Sequence, residues 1–212
     1  MSKIDYDKTQ EYLETLVPPR EPEIQKMEEY AKENGFPIIG PVCGYYCYQL
    51  ARMIDAKSVF ELGSGYGYST AWFAKAVTEN GGGVIHHTVW DDDLSNRAKT
   101  HLSTMGYADL VKFHNAEAVK TLCKTEGPFD IIFNDIDKEG YPDSLPVIKE
   151  KLRSGGLLII DNMIWHGQIL DPNDHEATTE AIRRFTRDIT TDPDWTASLV
   201  PMRDGMIVAY KK

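Results

Sequence analysis

The chain has 212 residues, 42% of them hydrophobic and 26% charged, which is enough apolar material for a sizeable core in one domain spanning residues 1–212. A formal charge of −10 without any long Lys/Arg run excludes the electrostatic footprint of a nucleic-acid binder, and no apolar run reaches membrane-spanning length. The polar N-terminus lacks a signal-peptide core, so a cytoplasmic location is expected. Three cysteines (Cys43, Cys47, Cys123) then read as packed thiols rather than as a disulfide framework or a zinc site.

Taken in order, the pattern predicts a helix over Lys8 to Leu16, stopped by Pro18-Pro19. An amphipathic helix follows over Glu21 to Asn34, with Gly35 as its C-terminal cap. Pro37 to Pro41 reads as extended and Val42 to Ile54 as a longer helix, so residues 1–56 form a helical cap before a core over 57–212. The first strand is Ser58 to Leu62, followed by a glycine-rich turn and a helix over Ser69 to Val77. Strands over Val84 to Trp90, Val111 to His114, Asp130 to Asn134 and Leu157 to Asp161 alternate with helices over Leu94 to Met105, Ala118 to Cys123 and Tyr141 to Leu152. A helix over Ala177 to Ile189 precedes a terminal hairpin, Trp195 to Leu199 and Gly205 to Tyr210, with Arg203-Asp204-Gly205 as its turn. Regular strand–helix alternation predicts an α/β fold, a doubly wound, mostly parallel sheet closed by an antiparallel hairpin.

Two strands end in polar clusters, Asn134-Asp135-Ile136-Asp137-Lys138 and Asp161-Asn162. If both strands are parallel, the clusters share the carboxyl edge of the sheet, where such folds bind ligands. The turn Gly63-Ser64-Gly65-Tyr66-Gly67 after the first strand has neither the dinucleotide fingerprint nor the Gly-Lys-Ser/Thr of a nucleoside triphosphatase. Glu61 beside it opposes a pyrophosphate and suits a cationic ligand. S-adenosylmethionine, a nucleotide cofactor and a bare structural turn all stay open on this evidence.

Three ordered motifs carry a family resemblance. Glu61-Leu62-Gly63 with Gly67-Tyr68-Ser69, then Asp135-Ile136-Asp137-Lys138 with Tyr141, then Asp161-Asn162 with Trp165 and Gly167, resemble the S-adenosylmethionine-dependent, divalent-metal-dependent O-methyltransferases of the catechol and caffeoyl-coenzyme A type. The similarity runs from about Pro41 to the C-terminus. It implies a Rossmann-like methyltransferase fold and a homodimer that methylates a metal-bound hydroxyl of a small, vicinally hydroxylated aromatic acceptor. It implies Asp135, Asp161 and Asn162 as ligands of a divalent cation, Mg²⁺ first, with Ca²⁺ or Mn²⁺ as alternatives. It implies Lys138 as the catalytic base, with Asp137 contacting substrate or holding that lysine. For the methyl donor it implies Glu61, Gly63, Ser64, Gly67, Tyr68 and Ser69 at the methionine end, Asp135 at the ammonium, and Trp90 and Glu117 at the adenine.

One position departs from the pattern. Where relatives carry an acid for the ribose hydroxyls, this chain has Val89, followed by Trp90-Asp91-Asp92-Asp93. Either Asp91 or Asp92 moves in as a substitute, or the ribose contact is lost; Asp91 to Asp93 also read as an acidic helix N-terminus. His166 reads as a bystander or a substrate contact, and His86-His87 as structural. A non-catalytic S-adenosylmethionine-binding protein of the same fold and a nucleotide-dependent oxidoreductase are the rival functions. Asp135, Lys138, Asp161 and Asn162 together argue against the first, and the missing phosphate fingerprint against the second.

Overall fold

The computed structural model describes residues 5–212, so the first four residues of the expected helical cap lie outside the described residues. Helix α1 spans Tyr6–Thr15, α2 Pro22–Asn34 and α3 Gly40–Met53. The alternating core follows: β1 Ser58–Leu62, α4 Tyr68–Glu79, β2 Val84–Val89, α5 Asp92–Thr104, β3 Val111–Asn115, α6 Ala118–Lys124, β4 Phe129–Asn134, α7 Tyr141–Lys151 and β5 Leu152–Ile160. Helix α8 (Ala177–Thr191) leads into β6 (Trp195–Val200) and β7 (Met206–Lys211).

The seven strands form one sheet in the order β3-β2-β1-β4-β5-β7-β6. Strands β1 to β5 are parallel, and β7 inserts antiparallel between β5 and β6. The chain leaves β1 toward β2 and leaves β4 toward β5, so the winding reverses between β1 and β4. Loops at the carboxyl ends diverge there and open a crevice.

Strand periodicity decides what each face buries. Val59, Ile131, Phe133, Leu157 and Ile159 point to the face covered by α2, α3, α4 and α5. Phe60, Leu62, Ile132, Leu158 and Ile160 point to the face covered by α6, α7 and α8, where Ile182, Phe185 and Ile189 of α8 meet them. These side chains are fully buried, and each contributes about 2 kcal/mol by leaving water. The same alternation sends Glu61 toward α4 and Asn134 toward α7. Asn134 Nδ2 donates to Ser144 Oγ at 3.0 Å there.

The strand–helix order matches the expectation, and the differences lie at element ends. Asp5 caps α1 by accepting from the Lys8 N–H at 3.2 Å, which starts that helix at Tyr6 rather than Lys8. Helix α3 begins at Gly40 instead of Val42, because Pro41 sits in its first turn, where a missing N–H costs nothing. Helix α5 begins at Asp92, since the Asp91 carboxylate accepts from the Leu94 N–H at 2.8 Å as N-cap. Strand β5 starts at Leu152 rather than Leu157; Leu152 pairs with Phe129, and the register then shifts. Cys43 and Cys47 are buried free thiols, and Cys123 is exposed. Among the described residues no helix is long and apolar enough to cross a membrane.

Candidate active site

A cavity of about 700 Å³ lies at the carboxyl edge, over the point where the winding reverses. Its floor holds both polar clusters that the sequence set apart: Asp135 to Lys138 after β4, and Asp161-Asn162 after β5. Gly63 to Tyr66, Tyr68 and Ser69 form one wall, and Phe36 to Ile39 another. The convergence follows from register, since Leu62 pairs with Asn134 and Asn134 with Ile160, which ends the three strands level.

Gly63 joins the two halves. It has φ 81°, and a Cβ on it would lie 2.5 Å from the Asp135 carbonyl oxygen, so only glycine lets the loop close on that backbone. Thr88 at the end of β2 fixes the loop from the other side. Its hydroxyl donates to the Glu61 carbonyl at 2.7 Å, its carbonyl accepts from the Ser64 N–H at 2.9 Å, and its N–H donates to Ser64 Oγ at 3.0 Å.

Lys138 lies in a tight turn just before α7 and is 9% exposed. Its ammonium donates to Asp135 Oδ1 at 2.7 Å, Tyr141 Oη at 2.9 Å and the Ile136 carbonyl at 3.2 Å. Tyr141 Oη in turn donates to the Asp161 carbonyl at 2.9 Å, so the lysine and the second acidic cluster are braced by one phenol. Lys138 is held by Asp135 and not by Asp137, which is exposed at the cavity rim.

Asp161 is 1% exposed. Its Oδ2 accepts from Arg203 Nη1 at 3.0 Å, while Oδ1 is buried without a hydrogen-bond partner. Burial, and then the Asp135 charge, push the Asp161 carboxyl above the ordinary carboxylate range; Arg203 acts against that shift. Asn162 has φ 60° and donates Nδ2 to Asp204 Oδ2 at 3.1 Å. A carboxylate only accepts, so the amide must face it with its nitrogen, leaving Asn162 Oδ1 as a free acceptor. Asp204 also accepts from the His166 N–H at 2.6 Å, and its carbonyl from the Ile164 N–H at 2.7 Å. The β6–β7 turn therefore positions the whole Asp161-to-His166 segment.

These observations bear on the divalent cation. Among the described residues no group of three or more His, Cys, Asp or Glu side chains is placed to hold a metal ion. The donor set here is two carboxylates and an amide oxygen. One carboxylate oxygen is buried and unpartnered, and the Asp135 charge opposes ionisation of Asp161. A hard cation with oxygen preference fits such a set.

The model of the O-methyltransferase family matches residues 24–212. This chain belongs to the O-methyltransferase family. It is 31% identical to a catechol O-methyltransferase of Niastella koreensis over 85% of this chain and 86% of that one. It is 29% identical to caffeoyl-CoA O-methyltransferase 1 of Eucalyptus globulus over 95% and 87%. The fold is that of the O-methyltransferase TomG from Streptomyces achromogenes, solved with SAM, at TM-score 0.87, 24% identity and coverage of 99% and 100%. It is also that of an O-methyltransferase from Bacillus cereus, solved with SAH, at TM-score 0.86, 23% identity and coverage of 97% of each chain.

Within this family member the residues expected around a methyl donor separate into two groups. Gly63, Ser64, Tyr68, Ser69 and Asp135 line the cavity; Glu61, Gly67, Trp90 and Glu117 do not. Glu61 is fully buried behind the glycine loop, because strand alternation turns it toward α4. Its oxygens accept from Ser69 Oγ and Thr70 Oγ1, both at 2.5 Å. Glu117 caps α6, accepting from the Val119 and Lys120 N–H groups at 2.8 and 2.7 Å. Trp90 is 70% exposed just past β2. Of the three acids after it, Asp91 is the helix cap and Asp92 accepts from Asn115 Nδ2. His166 lines the cavity with φ 53°, next to Trp165 at φ 49°. His86 and His87 are buried in β2, as a structural reading requires.

Several residues here carried no legible signal. Thr88 reads as any β-branched strand residue, and Asp204 and Arg203 as a turn. Arg183 of α8 is a fourth: its guanidinium donates to the carbonyls of Gln168, Ile169, Asp171 and Asp174 and fixes the loop beside the cavity. A guanidinium cross-linking a loop has no sequence period.

Burial also pushes the Glu61 carboxyl up to about 7, against the Ser69 and Thr70 hydroxyls, which favour the anion. The folded protein then holds this proton more tightly than the unfolded chain. The group's stabilising contribution is present at acid pH and lost as pH rises toward and through about 7. Glu61→Gln is expected to melt above wild type at pH 8, by on the order of 3 kcal/mol, with the gap closing toward pH 5. Thermal melts at both pH values check this, and a gap independent of pH contradicts it.

Proposed function

We propose that the chain transfers a methyl group from S-adenosylmethionine to a hydroxyl of a small, vicinally hydroxylated aromatic acceptor. The observation that carries the reading is the meeting of Asp135, Lys138, Asp161 and Asn162 on one cavity floor with the glycine loop as its wall. Asp135, Asp161 and Asn162 would hold a divalent cation, Mg²⁺ in the first instance. When bound there, such a cation acidifies a hydroxyl it coordinates and fixes its orientation.

The chain's own residues supply the remaining parts. The donor's methionine end lies along Gly63, Ser64, Tyr68 and Ser69, and Asp135 also suits its ammonium. Glu61 acts through the Ser69 and Thr70 hydroxyls rather than by contact. The Trp90 face is free to stack on the adenine, and Glu117, although it caps α6, retains lone pairs for the adenine amino group.

Lys138 takes the acceptor's proton at Nζ. Lys138 does this from its neutral amine form, after one ammonium proton has passed to solvent: two N–H groups remain for two of its three present acceptors, and the single lone pair receives the hydroxyl proton. The acceptor oxygen then bonds to the methyl carbon as the carbon–sulfur bond breaks, with the two in line. Alignment by rigid strand ends supplies much of the acceleration.

A screen of catechols, hydroxycinnamates and flavonoids with and without Mg²⁺, read by mass, tests the reading. Methylation of vicinal diols that needs both the donor and the cation is expected. If calorimetry detects binding of neither S-adenosylmethionine nor S-adenosylhomocysteine, the reading is wrong at its first step.

A further inference from the structure

Arg203 occupies a backbone position that resists an arginine. Its φ is 49°, in the left-handed region, at the turn between β6 and β7. Glycine would sit there without strain. The turn does not need the arginine side chain to close: Gly205 N–H donates to the Met202 carbonyl at 2.8 Å, and Asp204 ties the turn to Asn162 and His166. What the residue adds is a guanidinium delivered into the cavity. Its backbone is anchored from α1, where Gln10 Oε1 accepts the Arg203 N–H at 3.2 Å.

A guanidinium has five N–H donors in a planar fork. Among the described residues, Arg203 spends one of its side-chain nitrogens, Nη1, on Asp161. The side chain is 35% exposed, and no hydrogen bond of Nε or Nη2 is made among the described residues. Arg203 lines the main cavity and also a neighbouring one of about 400 Å³, which holds Lys32, Glu14 and the Arg20–Glu28 pair. In that pair Arg20 grips both carboxylate oxygens of Glu28. The main cavity is otherwise lined with the acids Asp135, Asp137, Glu139 and Asp161, and its other cation, Lys138, is engaged by Asp135. An anionic acceptor entering here is repelled on most sides and finds open donors at Arg203.

We infer that Arg203 selects acceptors that carry a carboxylate, so that the substrate class is a vicinally hydroxylated aromatic acid rather than a neutral catechol. This rests on the O-methyltransferase reading of the cavity. The hydroxyls address the Asp135, Asp161 and Asn162 end, and the carboxylate meets the Nε/Nη2 edge. That edge matches a carboxylate with two parallel hydrogen bonds, and Asp161 keeps its own bond to Nη1.

Calorimetric titrations of the protein saturated with S-adenosylhomocysteine and Mg²⁺ test the inference. The probes are 3,4-dihydroxybenzoate and 3,4-dihydroxybenzamide, which share size and hydroxyls and differ in charge. Wild type is expected to bind the acid about ten-fold more tightly than the amide, with the ratio falling as salt is raised. Arg203→Gly, which suits the positive φ, is expected to bring the ratio to about one, and Arg203→Lys to retain part of the preference. Weakened support of Asp161 would lower both affinities together and leave the ratio unchanged. Equal affinities in wild type, or a preference surviving in Arg203→Gly, overturn the role of Arg203 and leave methylation of vicinal diols standing. Binding of neither probe to wild type overturns both.

Discussion

Asp161→Asn is expected to cost about three orders of magnitude in turnover, the equivalent of about 4 kcal/mol of lost transition-state stabilisation. The same variant is expected to melt above wild type in chelator at pH 8. Both effects have one origin. Asp161 is 1% exposed, its Oδ1 has no partner, and burial together with the Asp135 charge raises its proton affinity. The folded protein therefore holds the Asp161 proton more tightly than the unfolded chain. Its contribution is favourable at acid pH and is lost as pH climbs out of the ordinary carboxylate range. Asparagine preserves the shape and an acceptor for Arg203 while removing the charge. In wild type, Mg²⁺ is expected to raise the melting temperature, because a ligand that binds only the folded state stabilises it. The variant should lose that increment. Thermal melts across pH with and without Mg²⁺, run beside turnover assays, check both halves. Wild-type turnover that survives excess chelator would remove the metal role.

Lys138→Ala is expected to lower kcat by about 10²–10⁴, the usual contribution of a positioned proton acceptor. Binding of S-adenosylhomocysteine should change far less, since the Lys138 ammonium faces Asp135, Tyr141 and the Ile136 carbonyl rather than the glycine loop. The bracing of Tyr141 against the Asp161 carbonyl does not pass through the lysine, so the second acidic cluster keeps its support. Small primary amines added to the variant should restore part of the rate by filling the space left beside Tyr141. Single-turnover rates and calorimetry separate these effects. An unchanged rate would take the base role away from Lys138, and a parallel loss of cofactor affinity would make its role structural.

Local signals suffice at some elements and not at others. Strand β1 and the Gly35 cap of α2 lie where the sequence places them, because both are set by neighbouring residues: an apolar run bounded by turn formers, and a glycine at φ 61°. The hairpin was legible from its turn chemistry, but not its place in the sheet. Nothing in β7 itself says that it pairs with β5 on one side and β6 on the other. Glu61 illustrates the limit most sharply. Its neighbourhood in sequence suggests a ligand contact, yet strand alternation turns it away from the cavity and under Ser69 and Thr70. Asp91 was legible as either a ribose contact or a helix cap, and only the structure places its Oδ1 on the Leu94 N–H as the cap of α5.

The alternating α/β order and the chemical inventory of the site (a glycine loop, two acidic strand ends, a lysine and an asparagine) are legible from residue order. These are local properties, written in periodicity and in residue type. Tertiary structure alone decided how that inventory is aimed. The level carboxyl ends of β1, β4 and β5 bring residues 63, 135 and 161 together. A distant turn supplies Asp204 to orient Asn162 and Arg203 to hold one oxygen of Asp161. Hydrogen bonds between residues some forty positions apart leave no periodic trace, because the chain between them is free to vary while the fold fixes only its ends.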